Sequence, residues 1–329
     1  MRKYLLYLFV FVLLFLSAWI FFFSSSSGIV SLRNSNFSID NVEKVTSIYL
    51  SEKSNTLALD KINNQWIVNN KYQAKEQSIG TLLLAINRLQ VHYPVSKAER
   101  EQIALLLNND GIQVDVKINR FNRHRFWVSK PSMNKEKTYM MMVNSSEPFV
   151  VKIPGFKGNV GELFATSENA WRNNLIFNYL PQNIQTITIE YPLTPERSFS
   201  LKNFNDGSFA LINRKNQLEP DFNVEIAARY FTYFQNIQFE DVITNWPQVK
   251  KDSVFASTPY VQITVKDFKS IENNIKIFRK QSDGETDEFG DKSKFDLNKA
   301  YALLNNNNEL LLIQYYNFDP LLKEIDYFR

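Results

Sequence analysis

The order of elements along this chain repeats, and a repeat narrows the fold to two copies of one unit. Residues 45–68, VTSIYLSEKSNTLALDKINNQWIV, alternate apolar and polar positions and read as two or three short strands with polar turns. Residues 184–212, IQTITIEYPLTPERSFSLKNFNDGSFALI, read the same way. A helical stretch follows each, 76–91 in the first half and 224–239 in the second, the latter with Asn223 as its N-cap. Strands resume as IQVDVKI at 112–118 and VQITVKD at 261–267. The closing hairpins TYMMMVNSSEPFVVKI and KAYALLNNNNELLLIQ align with Tyr139 on Tyr301 and Glu147 on Glu309. One element breaks the symmetry. In the first half Ser96-Lys97-Ala98-Glu99 forms a capping box for a second helix that Gly111 ends, whereas the second half has only 246–251 in that place.

The expected fold is therefore α+β, with two β-rich repeats at 45–163 and 184–329, each of antiparallel strands with one or two helices. A connector at 164–183 joins them, and its Trp171 is expected to pack between the lobes. A chain of 329 residues is long enough for two lobes of about 150 each. The 27 Phe and 15 Tyr against 9 Gly favour strands packed through aromatic faces, with Asn-rich segments as turns.

Ahead of the repeats lie twenty residues without a charge, YLLYLFVFVLLFLSAWIFFF at 4–23. At 1.5 Å per residue they reach about 30 Å, the thickness of a hydrocarbon core, so Tyr4, Leu13, Trp19 and Phe23 are expected in a spanning helix. A cleavable signal peptide would have a shorter apolar stretch and a small-residue cleavage site, whereas this run passes straight into four serines. Arg2 and Lys3 put the N-terminus in the cytoplasm under the positive-inside rule. The body is then expected in the periplasm, on a polar tether at 24–44.

Chemistry is sparse. The absence of cysteine excludes disulfides, thiolate metal sites, thiol catalysis and a lipidated cysteine. A net charge of +4 with interspersed signs does not imply nucleic acid. His92 and His124 are the only histidines, and neither has a companion in sequence. Ser132 and Lys135 fit the spelling of acyl-serine enzymes but fall in a polar loop, without the partner motif. Residues 283–291 gather five acids, yet Glu288 stands where a calcium loop needs glycine, so a solvated loop is the expectation. The glycines at 155, 158 and 161 follow no dinucleotide fingerprint and read as turns. Arg120, Arg123 and Arg125 with Phe121, Phe126 and Trp127 form a basic-aromatic cluster that could grip lipid headgroups or an acidic partner, although a strand pair with its arginines in water and its rings on the core is the favoured reading. Trp171, Arg172 and Trp246 are further candidates, the indoles as platforms for sugar. No catalytic residue, cofactor or metal is expected.

The stretches NQWIVNNKYQAKEQSIGTLLLAI, EPFVVKIPGFKG and NAWRNNLIF resemble the uncharacterised Bacteroidetes domain-of-unknown-function family 4340, over most of 45–329. The resemblance implies a membrane-anchored or lipidated envelope protein without an established activity, and this chain, lacking cysteine, departs from the lipidated members and depends on its helix. Some members of that family are encoded beside ABC-transporter subunits of the gliding-motility type, an association that the resemblance extends to this chain as an expectation. Asp252-Ser253-Val254 is similar to a short O-glycosylation acceptor of such proteins, or is an ordinary polar loop. The expected function is a non-enzymatic extracytoplasmic interaction module, plausible as an accessory subunit of an ABC-type transporter. The alternative is a receptor for a ligand or glycan between the repeats.

Overall fold

The computed structural model describes residues 32–329 apart from Ser54, Arg120, Phe121, Asp283, Glu285, 287–289 and Asp291. The 4–23 anchor and the five acids of 283–291 lie outside these residues. Among the described residues no helix is long and apolar enough to cross a membrane. The chain divides into two compact units that meet in sequence at Asn173 and Asn174.

The first unit contains β1 (Ser47–Glu52), β2 (Asn55–Ile62), β3 (Gln65–Val68), β4 (Tyr72–Gln73), β5 (Gln90–Pro94), β6 (Ile112–Lys117), β7 (Arg123–Val128), β8 (Thr138–Met142) and β9 (Phe149–Lys152). They form one sheet in the order β4-β3-β2-β1-β6-β7-β8-β9-β5, every neighbouring pair antiparallel. Helix α1 (Glu76–Arg88) covers its inner face through Ile79, Leu82, Ala85 and Ile86. Helix α2 (Arg100–Asp110) sets Ala104 and Leu107 against Met141, Trp127 and Tyr139.

The second unit repeats this plan. A short ribbon of β10 (Leu175–Phe177) and β15 (Ile237–Gln238) accompanies a nine-stranded sheet. That sheet is built from β11 (Ile184–Glu190), β12 (Phe199–Asn203), β13 (Phe209–Asn213), β14 (Leu218–Glu219), β16 (Asp241–Val242), β17 (Val261–Asp267), β18 (Glu272–Gln281), β19 (Phe295–Leu304) and β20 (Leu311–Gln314). Its order, β14-β13-β12-β11-β17-β18-β19-β20-β16, matches the first sheet strand for strand. Even the registers coincide. Ile112 faces Val128 and Val261 faces Ile277, each partner 149 residues on, and the offset holds through Lys117–Arg123 and Lys266–Glu272. Tyr139 faces Val150 as Tyr301 faces Leu312, so Tyr139 and Tyr301 occupy one place. The cause is local: Ile112, Val114 and Val116 are buried while their neighbours stay partly exposed, as with Val261, Ile263 and Val265, and a one-residue slip would turn the apolar set outward. Asparagine makes several turns, with φ of +49° and +66° at Asn63 and Asn64 and +49° and +54° at Asn305 and Asn306, a left-handed region that Asn tolerates.

Four expectations need correction. The second-half helix is shorter than 224–239: α3 (Val224–Phe231) gives way to a 3-10 turn, Thr232–Phe234, and Asn236 at φ +55° turns the chain into β15. Asn223 does cap it, its Oδ1 accepting from the Ile226 N–H at 3.0 Å. A helix, α4 (Gln248–Phe255), stands where only 246–251 was read, so Asp252-Ser253-Val254 is helical rather than a loop. The first core begins before Val45, since Phe37 and Ile39 of the supposed tether are buried in it and Phe37 packs edge-on against Phe126 and Phe149. Lastly, 164–183 is divided: Phe164 and Trp171 belong to the first core, Ile176 and Phe177 to the second.

Candidate functional site

The residues singled out from sequence do not converge on one place. Arg120 and Phe121 lie outside the described residues. Arg123 forks onto Asp115, with Nε 3.1 Å from Oδ1, and is thereby neutralised. Arg125 is exposed beside it, and Trp127 packs against α2. Trp171 is buried in the first core and donates its indole N–H to the Ala165 carbonyl at 2.7 Å. Arg172 is buried too, its guanidinium 3.8 Å from the centre of the Tyr72 ring, while its backbone bridges to Ala74. Neither offers a surface. His92 and His124 sit on β5 and β7, three strand spacings or about 14 Å apart, too far to share a ligand. Burial pushes the His124 pKa down, against the upward pull of the Phe37 and Asn36 backbone groups that accept from its ring N–H. Arg123, His124 and Arg125 line a cavity of about 660 Å³ with Asn34 and Asn36. Ser132 and Lys135 lie in a turn between β7 and β8, not on a helix. Among the described residues no group of three acidic, histidine or cysteine side chains is placed to hold a metal.

A different site emerges where the two units diverge. In the first, α2 ends at Gly111, and a Cβ there would lie 2.4 Å from the Leu107 carbonyl oxygen. Glycine lets the helix end close down on the strand that follows. In the second, the residue before the equivalent strand is Tyr260, and α4 has no buried residue; its Val249 is 80% exposed. Phe255 reaches toward the sheet, its ring 6.4 Å from that of Phe278.

Between α4 and the ends of β18 and β19 a groove of about 570 Å³ remains. Trp246, Tyr260, Phe295 and Tyr301 supply its rings, Trp246 meeting Tyr301 edge-on at 5.2 Å. Lys250 holds its ammonium 3.6 Å from the centre of the Trp246 ring. The Arg279 guanidinium lies over Tyr260 at 4.2 Å and Phe295 at 5.0 Å. A third cation, Lys280, is bound to buried Asp296 at 2.8 Å. Burial raises the Asp296 pKa, but the Lys280 hydrogen bond and the N–H groups of Asn298 and Lys299 outweigh it and leave it below the usual carboxylate value. Arg279 and Lys250 have no such partner: among the described residues no carboxylate pairs with either. Burial raises the nearby Tyr315 phenol to about 12 against the pull of Arg279, so it stays protonated and neutral at neutral pH. Sequence alone points to Trp246, Ser253, Val254 and Tyr301 separately and not to a groove, because its lining gathers from α4, the segment before β17, and the ends of β18 and β19.

Fold and site together define a duplicated antiparallel α+β protein whose second copy carries an open aromatic-cationic groove. The sequence pattern of the family described as domain of unknown function DUF4340 matches residues 66–254, more than half of the chain. The chain belongs to that family. The match runs from β3 to α4 and so takes in parts of both units. No curated protein and no solved structure matches.

Proposed function

We propose that this protein is a non-enzymatic interaction module, held at the inner membrane by residues 4–23 with its body in the periplasm. It would serve as an accessory subunit of an ABC-type transporter or of related envelope and gliding machinery. The observation that carries the interaction reading is the groove beside α4, which Trp246, Tyr260 and Arg279 line with accessible side chains. These residue types concentrate binding energy at protein–protein contacts. The transporter is supported by the family resemblance alone, which is an association rather than a mechanism. A sugar stacked on Trp246 is the weaker reading, because Lys250 already occupies one face of the indole.

The test is site-specific photocrosslinking of the full-length chain in its native membrane. A benzophenone side chain at Ser257, on the groove, is expected to trap one discrete envelope protein. The same probe at Leu105, exposed on α2 of the first unit, is expected to trap none. Equal, diffuse labelling from both positions would remove the groove as the docking surface.

A further inference from the structure

The chemistry of the groove says what it takes, and the geometry points to an acidic peptide segment that carries an apolar or aromatic side chain. This rests on the docking reading above and specifies the partner. Three cations line the groove, and among the described residues only Lys280 has a carboxylate partner, Asp296. Arg279 and Lys250 are held over ring faces, contacts that fix their position and do not themselves cancel the charge. An arginine so placed keeps its N–H fork for a bidentate carboxylate and loses little side-chain freedom when one arrives. The rings need a second kind of contact. Trp246, Tyr260, Phe295 and Tyr301 present apolar surface that a small inorganic anion would leave wet, whereas a side chain beside an acidic residue would cover it.

The first unit shows what this costs in structure. There Ala104 and Leu107 fill the corresponding corner and Gly111 lets α2 settle. In the second unit Ser253 and Ala256 fall 149 residues after Ala104 and Leu107, so the helix no longer has the apolar pair that would close the space. The opening is a property of one copy and not of the repeat.

The experiment measures fluorescence anisotropy of a labelled peptide of alternating Glu and Tyr, about ten residues long, against the full-length chain in nanodiscs of neutral lipid. Gln/Tyr and Glu/Ser peptides serve as comparisons. Saturable binding of Glu/Tyr is expected, weakened about tenfold or more by Arg279→Gln with Lys250→Gln, by either comparison peptide and by high salt. Far-ultraviolet dichroism and the melting temperature of the double variant should match the unaltered chain, because both cations are exposed. Equal binding of Glu/Tyr and Gln/Tyr, untouched by the double variant, would overturn the acidic specificity while leaving the groove a docking surface. Displacement of Glu/Tyr by phosphatidylglycerol vesicles or by inorganic phosphate at similar charge concentration would overturn it in favour of a lipid or a free anion. No binding of any peptide overturns it outright, and the Ser257 crosslink then decides separately whether the groove docks anything.

Discussion

Gly111 and Tyr260 precede equivalent strands, and the difference between them separates a closed corner from an open one. Gly111→Ala is expected to cost about 1–3 kcal/mol, since its Cβ would meet backbone rather than a side chain that can swing away; urea unfolding would read the loss. His124 offers a second residue-level test. Burial depresses its folded pKa below 6.5, so as pH falls through 6.5 the unfolded chain takes up the proton first. The stability tied to this group is therefore intact above 6.5 and is lost from there down to the folded pKa. His124→Gln should flatten the change in urea midpoint between about pH 7.5 and 5.5, and an unchanged slope would show that another group causes it. Sequence drew attention to Arg123, Trp171 and Arg172 by residue type, but type does not reveal pairing. Arg123 is spent on Asp115, and the other two are buried. Arg279 drew no notice because its aromatic neighbours, Tyr260 and Phe295, are each at least sixteen positions away.

The strands are legible because each buried face repeats every second residue, and so the equivalence of Tyr139 and Tyr301 in their two hairpins can be read from sequence alone. Helix α4 was not legible. QVKKDSVF has no apolar stripe, since nothing packs firmly beneath it. Phe37 and Ile39 are equally hard to read, two apolar residues scattered among Ser, Asn and Asp that nonetheless enter the first core. A contrast between the two corner helices follows. Leu107→Ala in α2 is expected to cost about 2–5 kcal/mol, and Val249→Ala in α4 no more than about 0.5 kcal/mol. Hydrogen exchange should show α4 amides opening well before those of α2, and comparable protection would mean that α4 is held more firmly than its burial indicates.

At the scale of the molecule, the anchor is the expectation with most reach. Full-length protein should stay with membranes through alkaline carbonate extraction, and a chain lacking residues 1–23 should be released; retention of the shortened chain would place the attachment elsewhere. The matching registers carry a further consequence, for synthesis rather than for binding. Two sheets that pair at the same offsets are each a template for the other's strands, so a nascent chain risks joining β6 to β18. Order of emergence is one safeguard, because the first sheet can close before β17 leaves the ribosome. The interior is another. Where α1 places Leu82 in its core, α3 places Tyr230, whose hydroxyl donates to the Leu321 carbonyl at 2.6 Å. A hybrid sheet would strand that hydroxyl or leave a hole the size of a ring, and the divergence of the two cores thus works as proofreading against the fold's own symmetry.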